Sequence, residues 1–131
     1  MDTSAFYARL DRDDQWHREA VQGFHLLAQE RRSLFTTNLI VAETYILALR
    51  RLGHAVAQRW LEALVSFNLV FQREEHHQKV QALLRRYPSL NFSYTDAFSF
   101  IAMEETGLQT AFTFDRHFHH YGWALFPTPL P

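Results

Sequence analysis

The stretch LFTTNLIVAETYILALRRLG, residues 34–53, decides the fold class, because a short β-prone run passes directly into a long apolar helix. Residues 34–37 are short and apolar, and they include the β-branched residue type that strands prefer. Asn38 is a residue type that caps helices, and Gly53 is a typical helix terminator. The stretch therefore predicts a strand followed by a helix, the repeating unit of α/β proteins.

A single charge, Glu43, stands in the almost wholly apolar run 39–49. In the predicted helix, Glu43 shares one face with Leu39 and Leu47. We therefore expect its carboxylate to be at least partly buried, where an unpaired charge is costly. An ion pair with Arg50 on the same face is the alternative that requires no functional site.

The same alternation of short strands and amphipathic helices continues along the chain. Further helices are predicted at 4–10, 13–32, 54–67, 73–87 and 93–107, and further strands at 68–72, 111–114 and 124–126, the last followed by PTPLP. This order predicts parallel pairing and a three-layer α/β/α sandwich with a short central parallel sheet, in a single domain of residues 1–131. Such a sheet also calls for a strand before Asp2, so we expect a very short strand there or a start site that has been shortened.

Composition narrows the class of protein. About half of the 131 residues are hydrophobic and 15% are aromatic, which is typical of a globular chain and not of a disordered one. The absence of Cys excludes disulfides, thiolate metal sites and a Cys nucleophile. Apolar runs are shorter than the roughly 20 residues of a membrane span, and no signal peptide is recognisable. A soluble, cytoplasmic protein is expected.

Net charge close to −1 gives no global preference for nucleic acid. The basic residues are nevertheless almost all Arg, which recognises phosphate in a bidentate manner better than Lys does. Three Arg pairs stand out, at 31–32, 50–51 and 85–86. Each pair alone is also typical of a solvated helix end.

Four acidic residues fall where such a sheet would bind a ligand. Asp2 and Asp115 follow expected strands, whereas Glu43 and Asp96 lie in the first turns of helices. Each has an ordinary explanation, since Asp96 completes a capping box with Ser93 and Asp is common at caps and turns. Because the carboxyl ends of parallel strands meet at one edge, we expect the four carboxylates to converge. Such a cluster binds protons or a cation, and an oxygen-only site favours Mg²⁺ or Mn²⁺.

The order and spacing of these acids resemble those of PIN-domain nucleases, and most closely the VapC-type toxins of toxin-antitoxin pairs. The matching motifs are Asp2-Thr3-Ser4-Ala5, the T-x-x-I-x-x-E pattern of Thr37, Ile40 and Glu43, Tyr94-Thr95-Asp96-Ala97, and Thr113-Phe114-Asp115 followed by Phe118. They span essentially the whole chain. The resemblance is therefore far more specific than any single acid.

The resemblance implies a metal-dependent ribonuclease that leaves 5′-phosphate and 3′-hydroxyl ends. The metal-binding acids would be Asp2, Glu43, Asp96 and Asp115, supported by the hydroxyls of two residues, Ser4 and Thr113. It also implies a homodimer that is held inactive by an antitoxin protein. One position departs from the pattern: many relatives carry another acid two residues after the last one, and here that residue is His117. The departure leaves open whether one or two metal ions bind.

The same residues allow four alternatives. His117, His119, His120 and the pair His76-His77 could hold Zn²⁺, but they lack helical H-x-x-x-H spacing and are typical of loop and surface histidines. A haloacid-dehalogenase-like phosphatase needs a second Asp where Ser4 stands. The competing class is a non-catalytic protein-binding module whose acids only cap helices. A housekeeping PIN nuclease without a toxin role would share the same acids.

Overall fold

The computed structural model describes residues 1–128, in which a pair of helices precedes each of the first three strands and a single helix precedes the fourth. The helices are α1 (Thr3–Leu10), α2 (His17–Gln29), α3 (Asn38–Leu52), α4 (His54–Ala63), α5 (Glu74–Arg86), α6 (Tyr94–Thr106) and α7 (Arg116–Tyr121); the strands are β1 (Phe35–Thr37), β2 (Asn68–Val70), β3 (Thr110–Phe112) and β4 (Ala124–Phe126). Residues 129–131, the end of the predicted PTPLP segment, lie outside the described residues. None of the helices in the described range is long and apolar enough to cross a membrane.

The strands form two parallel pairs, β1 with β2 and β3 with β4, and not one continuous sheet. Met1 and Asp2 lie between the pairs and hydrogen bond to both. The Met1 nitrogen donates to the Phe35 carbonyl at 2.7 Å, and the Asp2 nitrogen donates to the Phe112 carbonyl at 3.1 Å. The Thr36 hydroxyl donates to the Met1 carbonyl at 3.0 Å. Two residues thus occupy the place where the sequence calls for a strand, and they hold β1 and β3 at the same edge.

Helices cover both faces of these strands. Successive strand residues point to opposite faces, and β3 shows this directly. Ala111 belongs to a core formed with α5, α6 and α7, which includes Phe98 and Phe100. Phe112 instead contacts Phe24 of α2, with 5.1 Å between ring centroids. The second core lies among α1, α3 and α4, so the three layers predicted from the sequence are confirmed.

The start of α3 differs in detail from the prediction. Thr37, and not Asn38, is the N-cap, and its hydroxyl accepts a hydrogen bond from the Ile40 nitrogen at 3.2 Å. Asn38 is the first helical residue, and its side-chain oxygen accepts a hydrogen bond from the Gln72 nitrogen at 2.9 Å. Thr37 and Ile40 are both buried, which gives the T-x-x-I part of the motif a structural role.

The start of α2 and the segment after Asp115 also differ from the prediction. The helix predicted over 13–32 begins only at His17, because the preceding residues form turns. Residues 116–121 were expected to be a loop but form the short helix α7. Asp115 caps this helix by accepting a hydrogen bond from the His117 nitrogen, and Gly122 ends it in the left-handed conformation that glycine tolerates.

Candidate active site

Asp2 is the N-cap of α1, and its side chain is anchored by two hydroxyls. Its Oδ2 atom accepts hydrogen bonds from Ser4 Oγ at 2.9 Å and from Thr113 Oγ1 at 3.0 Å, and from the Ser4 nitrogen at 3.3 Å. Asp2 is only 5% exposed. Burial raises the pKa of its carboxyl, the hydrogen bonds from Ser4 and Thr113 act in the opposite direction, and the negative charge of Asp115 raises the pKa further.

The same two hydroxyls fix the backbone that carries Asp115. Ser4 Oγ accepts a hydrogen bond from the Phe114 nitrogen at 2.9 Å, and Thr113 Oγ1 accepts one from the Asp115 nitrogen at 2.9 Å. Thr113 is buried at the end of β3. Asp2 and Asp115 are therefore connected through one polar network, although 113 residues separate them in sequence.

Asp96 and Asp115 are brought together by the starts of α6 and α7. Asp96 Oδ2 accepts a hydrogen bond from the Ser93 nitrogen at 3.1 Å, which completes the predicted capping box. His117 Nδ1 lies 2.9 Å from this oxygen and 3.7 Å from Asp115 Oδ1. One ligand atom from each of Asp96, Asp115 and His117 lies within 4.8 Å of the other two.

Each of the three capping carboxylates uses a single oxygen for its protein hydrogen bonds. These oxygens are Oδ2 of Asp2, Oδ2 of Asp96 and Oδ1 of Asp115. Within residues 1–128, the second oxygen of each carboxylate has no protein hydrogen-bond donor. Carboxylate oxygens are the ligands that Mg²⁺ and Mn²⁺ accept in proteins. The donor set therefore fits a divalent cation.

Glu43 does not join this group. It lies exposed on α3, whose buried residues are Ile40, Thr44 and Ala48, so the expectation that its carboxylate is partly buried is wrong. The expected face also contains Leu39 and Leu47, but both are only half-buried. Among residues 1–128, no partner forms a hydrogen bond or an ion pair with Glu43, so the alternative pairing with Arg50 is not observed.

The sequence predicted that His117 is a loop histidine, but in the structure it belongs to the cluster. The available signal in the sequence was its position two residues after Asp115. His119 and His120, on the same short helix, are exposed. In the described part of the chain, the side-chain group with metal-binding spacing contains a single histidine, His117.

The PIN-domain family model matches residues 1–124, and the chain therefore belongs to the PIN-domain family. Among curated proteins, the 23S rRNA-specific endonuclease VapC20 of two Mycobacterium tuberculosis strains is 29% identical over 125 residues, covering 94% of this chain and 93% of the relative. The crystal structure of Mycobacterium tuberculosis VapC20, described as a sarcin-ricin loop cleaving toxin, superposes with a TM-score of 0.83 at 25% identity, covering 94% of each chain.

These matches confirm the resemblance to PIN-domain nucleases and to VapC-type toxins, and they confirm the predicted fold class. The predicted function, a ribonuclease of the VapC type, is confirmed at the level of the family. The assignment of individual metal-binding residues remains a prediction.

Proposed function

We propose that this protein is a VapC-type endoribonuclease that hydrolyses RNA phosphodiester bonds with a divalent cation, Mg²⁺ or Mn²⁺. The observation that carries the proposal is the approach of Asp96, Asp115 and His117, whose ligand atoms lie within 4.8 Å of one another. Buried Asp2 is connected to Asp115 through the Thr113 hydroxyl. Two carboxylates at close range repel each other strongly unless a proton or a cation lies between them. A group of this kind is costly to maintain without such a ligand.

The metal would be held by Asp96 and Asp115, with Asp2 beside them. When bound, a divalent ion supplies neutralisation of charge on the phosphate and a lowered pKa for an attacking water. The chain's own residues position these ligands. Ser4 and Thr113 orient Asp2 and also fix the backbone before Asp115, so they act as positioning residues. Glu43 remains a predicted fourth acid on the helix that begins at the same edge of the sheet.

The VapC20 relatives suggest the substrate class. They are named for cleavage of 23S rRNA, at the sarcin-ricin loop in the case of the solved structure. We propose ribosomal RNA as the first substrate to test for this chain. Exposed Arg side chains would contact the RNA backbone, where phosphate contacts supply affinity and orientation.

A toxin role would require inhibition by a partner. We propose that an antitoxin protein covers the acidic pocket, where an antitoxin Arg could pair with the carboxylates in place of the cation. We also propose a homodimer in solution. A monomer at micromolar concentration in light scattering would contradict the dimer but not the nuclease activity.

The test is to incubate purified ribosomes and total RNA with the protein and Mn²⁺, and to map new 5′-phosphate ends by sequencing. The wild type should generate discrete ends, and Asp96→Asn and Asp115→Asn should abolish them. Glu62→Gln, an exposed acid on α4, is the matched control and should cleave like the wild type. If the wild type yields no new ends with either ion at low salt, the non-catalytic binding module is the better description.

A further inference from the structure

We propose that His117 is a metal ligand through Nδ1 and that it shifts the selectivity of the site from Mg²⁺ towards Mn²⁺ and similar transition ions. The inference rests on the proposed metal-dependent function, which it deepens. It concerns the one histidine in the group of metal-ligating side chains found among the described residues.

The geometry places a ring nitrogen, and not merely a nearby histidine, in the cluster. Nδ1 is 2.9 Å from Asp96 Oδ2 and 3.7 Å from Asp115 Oδ1, so it faces both carboxylates. The His117 backbone nitrogen is fixed by Asp115 Oδ1, and the ring packs edge-on against buried Phe92, with 5.5 Å between centroids and 82° between planes. Backbone and ring are thus both held, and the side chain is still 32% exposed.

The ring can present a lone pair to an ion without losing a protein contact at its other nitrogen. A neutral imidazole carries its proton on one nitrogen and accepts at the other. In the described residues, Nε2 of His117 has no hydrogen-bond partner, so the proton can sit there in contact with solvent. With the proton on Nε2, Nδ1 gives up its hydrogen bond to Asp96 Oδ2, and its lone pair can bind an ion that Asp96 and Asp115 also hold.

The chemistry of such a donor set separates the candidate ions. Mg²⁺ prefers oxygen ligands in near-ideal octahedral geometry and gives up its waters reluctantly. Imidazole nitrogen instead suits transition ions, whose affinity for mixed sites rises along the series that begins with Mn²⁺. An acid at position 117 would complete an all-oxygen site, whereas His117 makes the site mixed. The substitution is therefore expected to favour Mn²⁺ over Mg²⁺.

The test uses the full-length protein, Mn²⁺ and pulsed electron paramagnetic resonance, which detects nitrogen bound directly to Mn²⁺. The wild type should show a coordinated ¹⁴N signal, and His117→Asp should lose it. His120→Asp, on the same helix but outside the cluster, should retain it. In thermal titrations, His117→Asp should reduce the preference for Mn²⁺ over Mg²⁺ by about tenfold, the scale on which loss of a supporting group changes metal affinity.

Circular dichroism shows whether His117→Asp is folded, and His117→Gln replaces it if it is not. Bound Mn²⁺ without a ¹⁴N signal in the wild type would overturn the inference, and so would an unchanged ion preference in the folded variant. RNA cleavage in Mg²⁺ together with either result would leave the proposed nuclease function standing. Failure of the wild type to bind Mn²⁺ would overturn the inference, whereas only the absence of RNA cleavage with both Mg²⁺ and Mn²⁺ would overturn the proposed function.

Discussion

Neutralising Asp96 should stabilise the metal-free protein and abolish its response to metal. The ligand atoms of Asp96 and Asp115 lie within 4.8 Å of each other, and two unit charges at this separation repel by about 3.5 kcal/mol at an effective dielectric constant of about 20. Asp115 is 37% exposed, so solvent screening reduces the net penalty to about 1 kcal/mol. In Asp96→Asn the amide oxygen can still accept from the Ser93 nitrogen, so the cap is retained.

The assay is thermal unfolding at pH 8, where an ordinary histidine is neutral, first with a chelator and then with Mn²⁺. Without metal, Asp96→Asn should melt about 4 °C higher than the wild type, which corresponds to about 1 kcal/mol in a domain of this size. At about 100 times its dissociation constant, Mn²⁺ should stabilise the wild type by about 2.7 kcal/mol and leave the variant unchanged. If Asp96 only caps α6, the wild type will show no metal shift, and Asp96→Asn will not gain stability in chelator.

The remaining predictions concern stability. Burial raises the pKa of the Asp2 carboxyl, so its stabilising contribution is full below about pH 3.9, the ordinary pKa, and is lost as pH rises through the raised pKa. In urea unfolding with chelator, the free energy of unfolding of Asp2→Asn should therefore rise relative to that of the wild type from pH 4 to 8. A difference that does not depend on pH would contradict this. His76 is 1% exposed and hydrogen bonded at both ring nitrogens. His76→Ala should lower the free energy of unfolding by about 2–4 kcal/mol, whereas His77→Ala at the exposed neighbour should change it by less than about 0.5 kcal/mol. A Cβ at Gly23 would lie 2.7 Å from Phe112 Cζ. Gly23→Ala should therefore lower the free energy of unfolding, measured in urea, by about 1 kcal/mol despite the better helix propensity of Ala. A higher free energy of unfolding would show that the Phe112 ring moves aside at little cost.

The order of elements was predictable because strands and helices leave different hydrophobic periods in the sequence. The sheet was only partly predictable. The sequence predicted a strand before Asp2, and in the structure the backbone of Met1 and Asp2 makes the hydrogen bonds that such a strand would make. Tertiary hydrogen bonds to Phe35 and Phe112 decide this arrangement, and no local pattern encodes them.

The orientation of α3 could not be read from its composition. Residues 39–49 are apolar on almost every side, so periodicity did not distinguish the face of Glu43 from the face of Thr44. Thr44 is the residue that is fully buried, and its hydroxyl donates to the Thr3 hydroxyl at 3.3 Å. A polar residue with a buried partner thus took the core position, and the charged residue went to the surface, where its hydration is retained.

Capping and metal binding were treated from the sequence as competing explanations of the same acids, but the structure makes them compatible. Asp2 and Asp115 are the N-caps of α1 and α7, and Asp96 completes the capping box at the start of α6. Asp96 and Asp115 still have ligand atoms within 4.8 Å of each other. Backbone N–H groups and the positive ends of helix dipoles stabilise carboxylates, which offsets part of their mutual repulsion before any cation binds. A helix-capping role therefore does not argue against the proposed metal site, because the same hydrogen bonds that cap the helices hold the Asp96 and Asp115 carboxylates close together.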